Sequence, residues 1–438
     1  MPSALSTDLY EVTMAAGFVE GDHGRGTFDL YVRTLPETRS FLVAAGLEQG
    51  LAYLETVRFT AAEVAYLRTV PALAELPAAF FDDYLARFRF TGEVWAMDEG
   101  TPVFANEPIL SITAPLAEAQ LVETAVLAIV GFQTSIASKA VRVAAAAAGR
   151  PAIEFGGRRA HGTEAAMWAA RAAFLGGCEA TSNLAAGRAF DIPVSGTMAH
   201  SWVMAHDGEE EAFRRYADLF GDQAVLLLDT YDTCEAARRV VSSGLTPAAV
   251  RLDSGDLGAL SRDVRGILDG GGLRGTRILV SGDLDEYRIA SLVASGAPVD
   301  GFGVGTALST SNDAPALGVV YKLAEVERAG SWMATAKSSP GKATWAGRKQ
   351  VWRMPADGRD RVGLRDERAP AGGHGLLRCV MRDGTRVGDA PALADRRAAC
   401  QAAVAGLPAG VRRLENPLGY QVEVSDALRA LSKAAMTR

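Results

Sequence analysis

The feature that most restricts the fold of this chain is a strand–helix alternation between residues 152 and 305. Short apolar runs recur there, and each is followed by a turn and a segment with helical spacing. The predicted strands are AIEF at 152–155, PVSGT at 193–197, VLLLD at 225–229, AVRLD at 249–253, RILVSG at 277–282 and GFGVG at 301–305. Continuous apolar strands that alternate with helices are typical of a parallel sheet covered by helices. Their density favours a (β/α) barrel, with an open doubly wound sheet as the alternative.

The sequence on either side of this alternation has a different pattern. TFDLYV at 27–32 alternates apolar with polar residues, as a half-buried strand does, and FLVAAGLEQGLAYLETV at 41–57 has helical periodicity. An alanine-rich stretch at 117–148 predicts one long helix that ends near Gly149. Beyond about 325 the pattern changes to short strands such as KQVWRM, followed by a final helix, SDALRALSKAAM. We therefore predict segments at 1–116, 117–325 and 326–438.

Composition excludes several classes of protein. The net charge of −7 argues against broad nucleic-acid binding, and 48% hydrophobic with 22% charged residues is the balance of an ordinary globular protein. The four cysteines form no CxxC pair, which disfavours a zinc ribbon or a disulfide framework. The N-terminus lacks the pattern of a signal peptide, and the apolar run at 125–132 is too short to span a bilayer. We expect a cytoplasmic protein with no nucleic-acid or membrane partner.

Polar residues or glycines follow each predicted strand of the alternation. They are Arg158 and Arg159, His200, Asp229, Asp253 with Asp256, Gly282 with Asp283, and Thr306. Taken singly, each has a structural explanation, because a strand-end Asp often caps the next helix and an arginine pair is often solvated. Ligands of parallel β/α folds bind at the carboxyl ends of strands, so the whole set predicts one continuous site.

Two of the five histidines, His200 and His206, lie in VSGTMAHSWVMAH. Residues six apart do not share a helix face, and on a strand they would be roughly 20 Å apart, so they do not form a simple metal pair.

The chemistry of the strand ends indicates a type of substrate. Glycine-rich turns with Thr306 present backbone N–H groups to a phosphate. Asp253 and Asp256 suit ribose hydroxyls or Mg²⁺, and Arg158 and Arg251 suit a carboxylate or pyrophosphate. A sugar phosphate and an acidic small molecule are the predicted substrates.

Ordered motifs extend this interpretation to a family. TDLYEVTMAAGF, FGGRRAHG, SGTMAHSWV, LLDTYDT, VRLDSGDL and GFGVGTAL resemble, in that order, the motifs of nicotinate phosphoribosyltransferases. LGVVYKLAEV and SSPGKATWAGRKQVWR look like that family's return to its first domain. The resemblance covers residues 6 to about 355 and, more weakly, NPLGYQVEVSDALRAL.

The resemblance implies an activity and a fold. Such enzymes join nicotinic acid to phosphoribosyl pyrophosphate, giving nicotinate mononucleotide and pyrophosphate in NAD salvage. They couple this step to ATP hydrolysis through a phosphohistidine, which places them in the ATP-coupled ligase class, and they use Mg²⁺. The implied fold is an irregular (β/α) barrel with an α/β domain built from both chain termini, and the implied assembly is a homodimer.

The resemblance also implies residue roles, carried over motif by motif. His200 corresponds to the phosphorylated histidine, Asp229 to the carboxylate that holds its ring, and Asp253 to a ribose-binding acid. The implied nicotinate-binding residues are Tyr10, which reaches across the dimer, Phe155, Thr197 and Arg251; those for phosphoribosyl pyrophosphate are Arg158, Gly282, Gly303, Gly305 and Thr306. No role is implied for His206, His161, His23 or His374.

Alternative functions remain open at this point. A nicotinamide phosphoribosyltransferase would need an acidic residue near the amide, where this chain has neutral residues at 180–183 and Glu179 beside them. Quinolinate phosphoribosyltransferases have shorter chains and need no ATP-dependent histidine. A non-catalytic pyridine-nucleotide-binding paralogue would not need His200, Asp229, Arg251 and Asp253 together. A phosphate-binding barrel isomerase leaves the Tyr10 and SGTMAHS motifs unexplained.

Overall fold

The computed structural model describes residues 2–21, 23–339, 341 and 343–437. The chain divides into two compact units, one formed by Met1–Ser135 with Ala316–Arg438 and the other by Ile136–Pro315. We call them unit 1 and unit 2. The sequence interpretation set its boundaries at 116/117 and 325/326, whereas the structural division falls within a long helix at 135/136 and at 315/316.

The elements were assigned in chain order. Up to the unit boundary and across it they are α1 Leu9–Glu20, β1 Arg25–Val32, β2 Leu42–Val43, α2 Leu47–Thr56, α3 Ala61–Thr69, β3 Glu93–Ala96, β4 Pro102–Val103, β5 Pro108–Pro115, α4 Leu116–Leu121 and α5 Glu123–Ala146. Unit 2 continues with β6 Ala152–Glu154, α6 Thr163–Leu175, β7 Ala180–Thr181, α7 Leu184–Phe190, α8 His200–Met204, α9 Glu209–Phe220, β8 Val225–Leu227, α10 Thr233–Ser242, β9 Ala249–Leu252, α11 Leu257–Gly270, β10 Arg277–Val280, α12 Glu286–Ala294, β11 Gly301–Val304 and α13 Thr306–Ser309.

The chain then returns to unit 1. Its remaining elements are β12 Val319–Arg328, β13 Ser331–Ala334, β14 Lys349–Met354, β15 Arg359–Leu364, β16 His374–Gly375, β17 Arg378–Arg382, β18 Thr385–Arg386, α14 Leu393–Ala405, β19 Gln421–Val424 and α15 Asp426–Met436. Single turns of 3-10 helix lie at Pro71–Leu73, Leu85–Arg87 and Gly221–Gln223, and a π-helical turn at Phe80–Tyr84.

Unit 1 is built around a seven-stranded antiparallel sheet with the order β13-β12-β1-β5-β3-β17-β18. Strands from both ends of the chain alternate in this sheet, which confirms the predicted α/β domain built from both termini. The strand predicted from TFDLYV is β1, but it is buried on both faces. Its polar positions tolerate burial because the Thr27 hydroxyl donates to Glu325 Oε1 at 3.0 Å and Asp29 pairs with Lys349 at 2.6 Å.

Unit 2 contains a six-stranded parallel sheet with the order β7-β6-β11-β10-β9-β8. Its central strands are fully buried on apolar residues such as Leu226, Val250, Ile278 and Phe302, as continuous apolar runs require. The parallel α/β class is confirmed. Among the described residues the ladder ends at β7 and β8, so closure into a barrel stays a prediction.

One predicted strand of unit 2 is wrong. PVSGT forms a single bridge, between Thr181 and Val194, instead of a strand. Pro193 has no N–H for a ladder, and Gly196 adds conformational freedom two residues beyond the bridge. The sheet strand at this position is β7, which the sequence pattern did not identify because it is only two residues long.

The long helix predicted at 117–148 is broken at Val122 into α4 and α5. By length and composition α5 is able to cross a membrane, but 78% of its most apolar window is buried inside the protein. Such burial is typical of a core helix.

Candidate active site

The carboxyl ends of the unit 2 strands bring most of the predicted site residues to one edge. In the order β6, β11, β10, β9 and β8, neighbouring strands are hydrogen-bonded and parallel, so the residues that follow them lie side by side. Phe155 and Arg158 follow β6, Thr306 follows β11 and Gly282 follows β10, while Asp253 and Asp229 follow β9 and β8. The edge predicted from the sequence therefore exists.

His200 lies at this edge as the first residue of α8. Its Nδ1 is 3.2 Å from Thr230 Oγ1, and its Nε2 is 3.9 Å from Asp253 Oδ2. The side chain is 40% exposed, so the ring has an open face toward solvent. The imidazole is thus held between the ends of β8 and β9 and is accessible to a ligand.

Asp229 does not hold the His200 ring in this structure, which corrects the expectation from the sequence. Its Oδ2 accepts hydrogen bonds from the backbone N–H of Asp253 at 3.1 Å and from the Ser254 hydroxyl at 2.6 Å. Its Oδ1 is buried and accepts no hydrogen bond from the described residues. Asp229 joins the ends of β8 and β9, and Thr230, one residue later, contacts the ring instead.

Arg251 and Thr197, both predicted to bind nicotinate, are in contact. The Arg251 Nη1 donates to Thr197 Oγ1 and, at 3.3 Å, to the carbonyl of Met198. The Arg251 side chain is 13% exposed, and its Nε is buried without a partner among the described residues. Burial lowers the pKa of Arg251, whereas nearby Asp253 and Asp229 raise it. An arginine nevertheless stays cationic at neutral pH, so this is a largely desolvated positive charge.

Asp253 connects three strand ends. Its Oδ1 accepts a hydrogen bond from the Ser281 hydroxyl and lies 3.8 Å from Arg251 Nη2, while its Oδ2 faces His200. The carboxylate remains 29% exposed. By contrast Asp256 is the N-cap of α11, where its Oδ1 accepts from the Ala259 N–H at 3.0 Å. Of the two acids in DSGD, Asp253 therefore belongs to the site and Asp256 to the helix.

Two of the predicted phosphate-site glycines are required by packing. Gly282 has φ +94°, and an added Cβ would lie 1.8 Å from the Asp253 carbonyl oxygen. A Cβ on Gly303 would lie 2.5 Å from the Phe155 ring. Gly305 has more space and directly precedes Thr306, the exposed first residue of α13. These contacts explain the glycines at Gly282 and Gly303; phosphate binding stays a prediction.

Three further predicted residues have fewer contacts. Phe155 is half-buried against Gly303, and Arg158 is exposed and makes no hydrogen bond or ion pair with another described residue. Tyr10 belongs to α1 in unit 1, where it is 47% exposed and its hydroxyl is 3.3 Å from Glu11 Oε1. The roles carried over to them stay predictions.

The sequence interpretation missed four polar residues at the strand ends. Thr230, Ser254 and Ser281 contact His200, Asp229 and Asp253 respectively, and Glu154 is buried at the end of β6. Each directly adjoins a tip that was recognised, so position alone could have identified them. Within the described ranges, no group of three or more His, Cys, Asp or Glu side chains has metal-binding geometry.

Sequence comparisons agree with this geometry along the whole chain. Three sequence models match, described as the nicotinate phosphoribosyltransferase N-terminal domain over residues 5–131, the nicotinate phosphoribosyltransferase family over 152–354 and the C-terminal domain over 349–432. The chain belongs to the nicotinate phosphoribosyltransferase family. The resemblance stated from the motifs is thereby confirmed.

Individual members of the nicotinate phosphoribosyltransferase family are similar over nearly their full length. Nicotinate phosphoribosyltransferase pncB2 of Mycobacterium tuberculosis is 44% identical over 437 residues, covering 97% of this chain and 92% of the relative. The human nicotinate phosphoribosyltransferase is 30% identical, covering 98% and 95%. A crystal structure of human nicotinic acid phosphoribosyltransferase superposes with a TM-score of 0.85 at 27% identity, covering 98% of this chain and 99% of that one.

Proposed function

We propose that this protein is a nicotinate phosphoribosyltransferase, which joins nicotinic acid to phosphoribosyl pyrophosphate and releases pyrophosphate in NAD salvage. The observation that carries the proposal is the convergence of His200, Asp253 and the Arg251–Thr197 pair on one edge of the unit 2 sheet. The names of the curated relatives support the same activity.

Arg251 supports a carboxylate-bearing substrate. Its guanidinium is largely buried, and its closest carboxylate, Asp253, is 3.8 Å from Nη2. A guanidinium binds a carboxylate through parallel N–H donors, and such charge-assisted bonds are stronger than neutral ones. Nicotinic acid supplies that carboxylate, whereas nicotinamide supplies only a neutral amide.

The position of the nearby acids supports nicotinic acid over nicotinamide. Glu179, which left this choice open, precedes β7 and is exposed, so it lies at the amino end of a parallel strand, away from the carboxyl-end edge. Glu154 is at the correct end, but Gly156 and Thr181 already donate to its two oxygens.

In the proposed transfer, the pyridine nitrogen forms a bond to the anomeric carbon as the bond from that carbon to pyrophosphate oxygen breaks. Such glycosyl transfers pass through an oxocarbenium-like state. Asp253, an exposed carboxylate at the centre of the site, would face the ribose and its developing positive charge. Arg158 and the turn before α13 would bind the phosphates, so that the protein positions the reactants and neutralises the leaving group.

ATP coupling is proposed to pass through His200. A ring nitrogen would form a bond to the γ-phosphorus as ADP leaves, and water would later cleave that N–P bond to give phosphate. Thr230 holds the ring, and Asp253 faces Nε2 at 3.9 Å, so a carboxylate is available to stabilise the imidazolium form.

Mg²⁺ fits the available donors as a substrate-borne ion. Mg²⁺ usually binds through one or two carboxylates together with substrate phosphates, so a preformed protein cluster is unnecessary. The unpartnered Oδ1 of Asp229 and the exposed carboxylate of Asp253 would provide protein oxygens. When bound, the ion would supply charge neutralisation for pyrophosphate and ATP.

We also propose a homodimer in which Tyr10 completes the partner subunit's site. Leu9, Tyr10 and Met14 are between 41% and 48% exposed on α1, so this helix presents apolar side chains for a contact. A cytoplasmic location is proposed because all four cysteines are unpaired.

Incubation with [γ-³²P]ATP, followed by mapping of acid-labile label, tests the proposal. Label on His200, together with nicotinate-dependent release of pyrophosphate, is the expected result. His200→Ala should abolish ATP hydrolysis and ATP stimulation while leaving weak ATP-independent transfer. Normal ATP hydrolysis by His200→Ala would contradict the role of this residue, and absence of any pyrophosphate release by the wild type would favour a non-catalytic paralogue.

A further inference from the structure

Glu154 is a buried acid at the end of β6 for which the proposed mechanism has no role. It is 1% exposed, and among the described residues no lysine or arginine forms an ion pair with it. Its Oε1 accepts from the Gly156 N–H, and its Oε2 accepts from Thr181 Oγ1 at 2.6 Å. Burial raises the pKa of Glu154, while these two hydrogen bonds lower it. The side chain thus provides two acceptors to donors from two different segments.

The first hydrogen bond fixes the start of the turn that carries Arg158. The carbonyl of Gly156 accepts from the N–H groups of Arg159 at 2.8 Å and Ala160 at 3.0 Å, and from Ser309 Oγ at 3.3 Å. A Cβ on Gly156 would lie 2.3 Å from Ser309 Oγ. Both polar backbone groups of Gly156 are therefore held, and the only group that holds its N–H is Glu154.

The second hydrogen bond fixes the segment that leads to Thr197. The buried Thr181 donates its N–H to the Pro193 carbonyl at 3.0 Å and accepts at its own carbonyl from the Ser195 N–H at 3.0 Å. Residues 193–195 lack regular strand structure beyond the single bridge, so their position depends on these contacts.

We propose that Glu154 is a positioning residue that ties the Arg158 turn to the segment before Thr197. It would thereby set the distance between the phosphate-binding and nicotinate-binding parts of the site. The effect on turnover rests on the proposed function; the structural connection does not. A buried carboxyl without a cation is costly, and a purely apolar contact would fill the same space without that cost. Its acceptor geometry is what an apolar residue cannot replace.

The test compares two substitutions of its partner and one of Glu154 itself. Thr181→Val removes the hydroxyl with little change of shape, whereas Thr181→Ser keeps the hydroxyl. Glu154→Gln replaces one acceptor oxygen by a donor. The matched control is Thr276→Val, because Thr276 is also buried in unit 2 and its hydroxyl donates to the Pro247 carbonyl at 3.0 Å, but it precedes β10 at the opposite edge.

Amide hydrogen exchange and steady-state kinetics on the full-length protein supply the two measurements. Glu154→Gln and Thr181→Val should speed exchange at residues 156–160 and 193–196 and raise KM for phosphoribosyl pyrophosphate about tenfold, about 1.4 kcal/mol, with kcat changed less than about threefold. Thr181→Ser and Thr276→Val should keep this KM within about twofold of wild type.

The two measurements separate the possible failures. Unchanged exchange in Glu154→Gln and Thr181→Val overturns the structural connection, whether or not the protein is active. Faster exchange with an unchanged KM, in a wild type that turns over, overturns its role in the reaction. A wild type that forms no nucleotide overturns the proposed function, and the exchange result then still decides the connection.

Discussion

Replacing Arg251 by glutamine should remove the preference for an acidic substrate. The guanidinium is 13% exposed and its Nη1 donates to Thr197 and Met198, so the bound nicotinate would meet a cation that solvent screens poorly. A hydrogen bond to a charged partner contributes roughly 1.5–3 kcal/mol. A loss of about 2 kcal/mol corresponds to about a thirtyfold decrease in kcat/KM for nicotinic acid.

The assay measures kcat/KM for nicotinic acid and nicotinamide at saturating phosphoribosyl pyrophosphate. Arg251→Gln should lower the value for nicotinic acid about thirtyfold and that for nicotinamide less than about threefold, because the neutral amide gains little from the charge. Arg251→Lys, which keeps the charge but loses the planar fork, should fall between wild type and glutamine. The control is Arg277→Gln, since Arg277 is exposed at the amino end of β10.

Two results would refute this reasoning. An equal decrease for both substrates in Arg251→Gln would mean that Arg251 maintains the site without recognising the carboxylate. A nicotinic acid value within about twofold of wild type would mean that the carboxylate binds elsewhere. The Arg277→Gln variant should stay within about twofold for both substrates, because surface substitutions rarely matter.

Three further predictions concern stability. Gly282→Ala should unfold at a markedly lower temperature, because its φ of +94° and a Cβ 1.8 Å from the Asp253 carbonyl oxygen combine strain with a clash, whereas Gly266→Ala, with nothing within 4 Å in α11, should gain about 0.5–1 kcal/mol; equal melting temperatures would contradict this. Lys349→Met should lose about 3–5 kcal/mol in urea unfolding, because it leaves the buried carboxylate of Asp29 uncompensated, and a loss below about 1 kcal/mol would contradict it. Burial raises the pKa of Glu154 above its ordinary value of 4.5, so wild-type stability from this group is present below pH 4.5 and is lost as pH rises through the folded pKa; the melting temperature of Glu154→Gln relative to wild type should therefore increase from pH 4.5 to 7, and a constant difference in calorimetry would argue against it.

Periodicity predicted the elements that are long or strongly patterned. The apolar runs that became β6, β8, β9, β10 and β11 were recognised because buried parallel strands are continuously apolar. The same reasoning failed for PVSGT and for β7, because two-residue strands carry no periodic signal and a proline removes a ladder donor. Local pattern also could not reveal the break at Val122, which leaves the apolar spacing of the helices unchanged.

The candidate site shows the same limit at the level of single side chains. Strand-end position identified His200, Asp229, Arg251 and Asp253 as neighbours, since parallel strands bring their carboxyl ends to one edge. Position could not show that Thr230 contacts the His200 ring while Asp229 bonds to the Asp253 N–H and Ser254. Adjacent residues at a strand end point in different directions, and the rotamers that select a partner depend on atoms distant in sequence.

The sequence by itself determined the family, the parallel α/β class of unit 2 and the edge at which its polar residues meet, because those properties follow from residue order and apolar period. Only the tertiary structure decided which of the two DSGD acids joins the site, why Gly282 has no side chain and how Glu154 connects two loops. Those properties depend on distances between residues that are far apart in the chain. Such distances follow from the packing of the whole sheet and helices, which no local pattern contains.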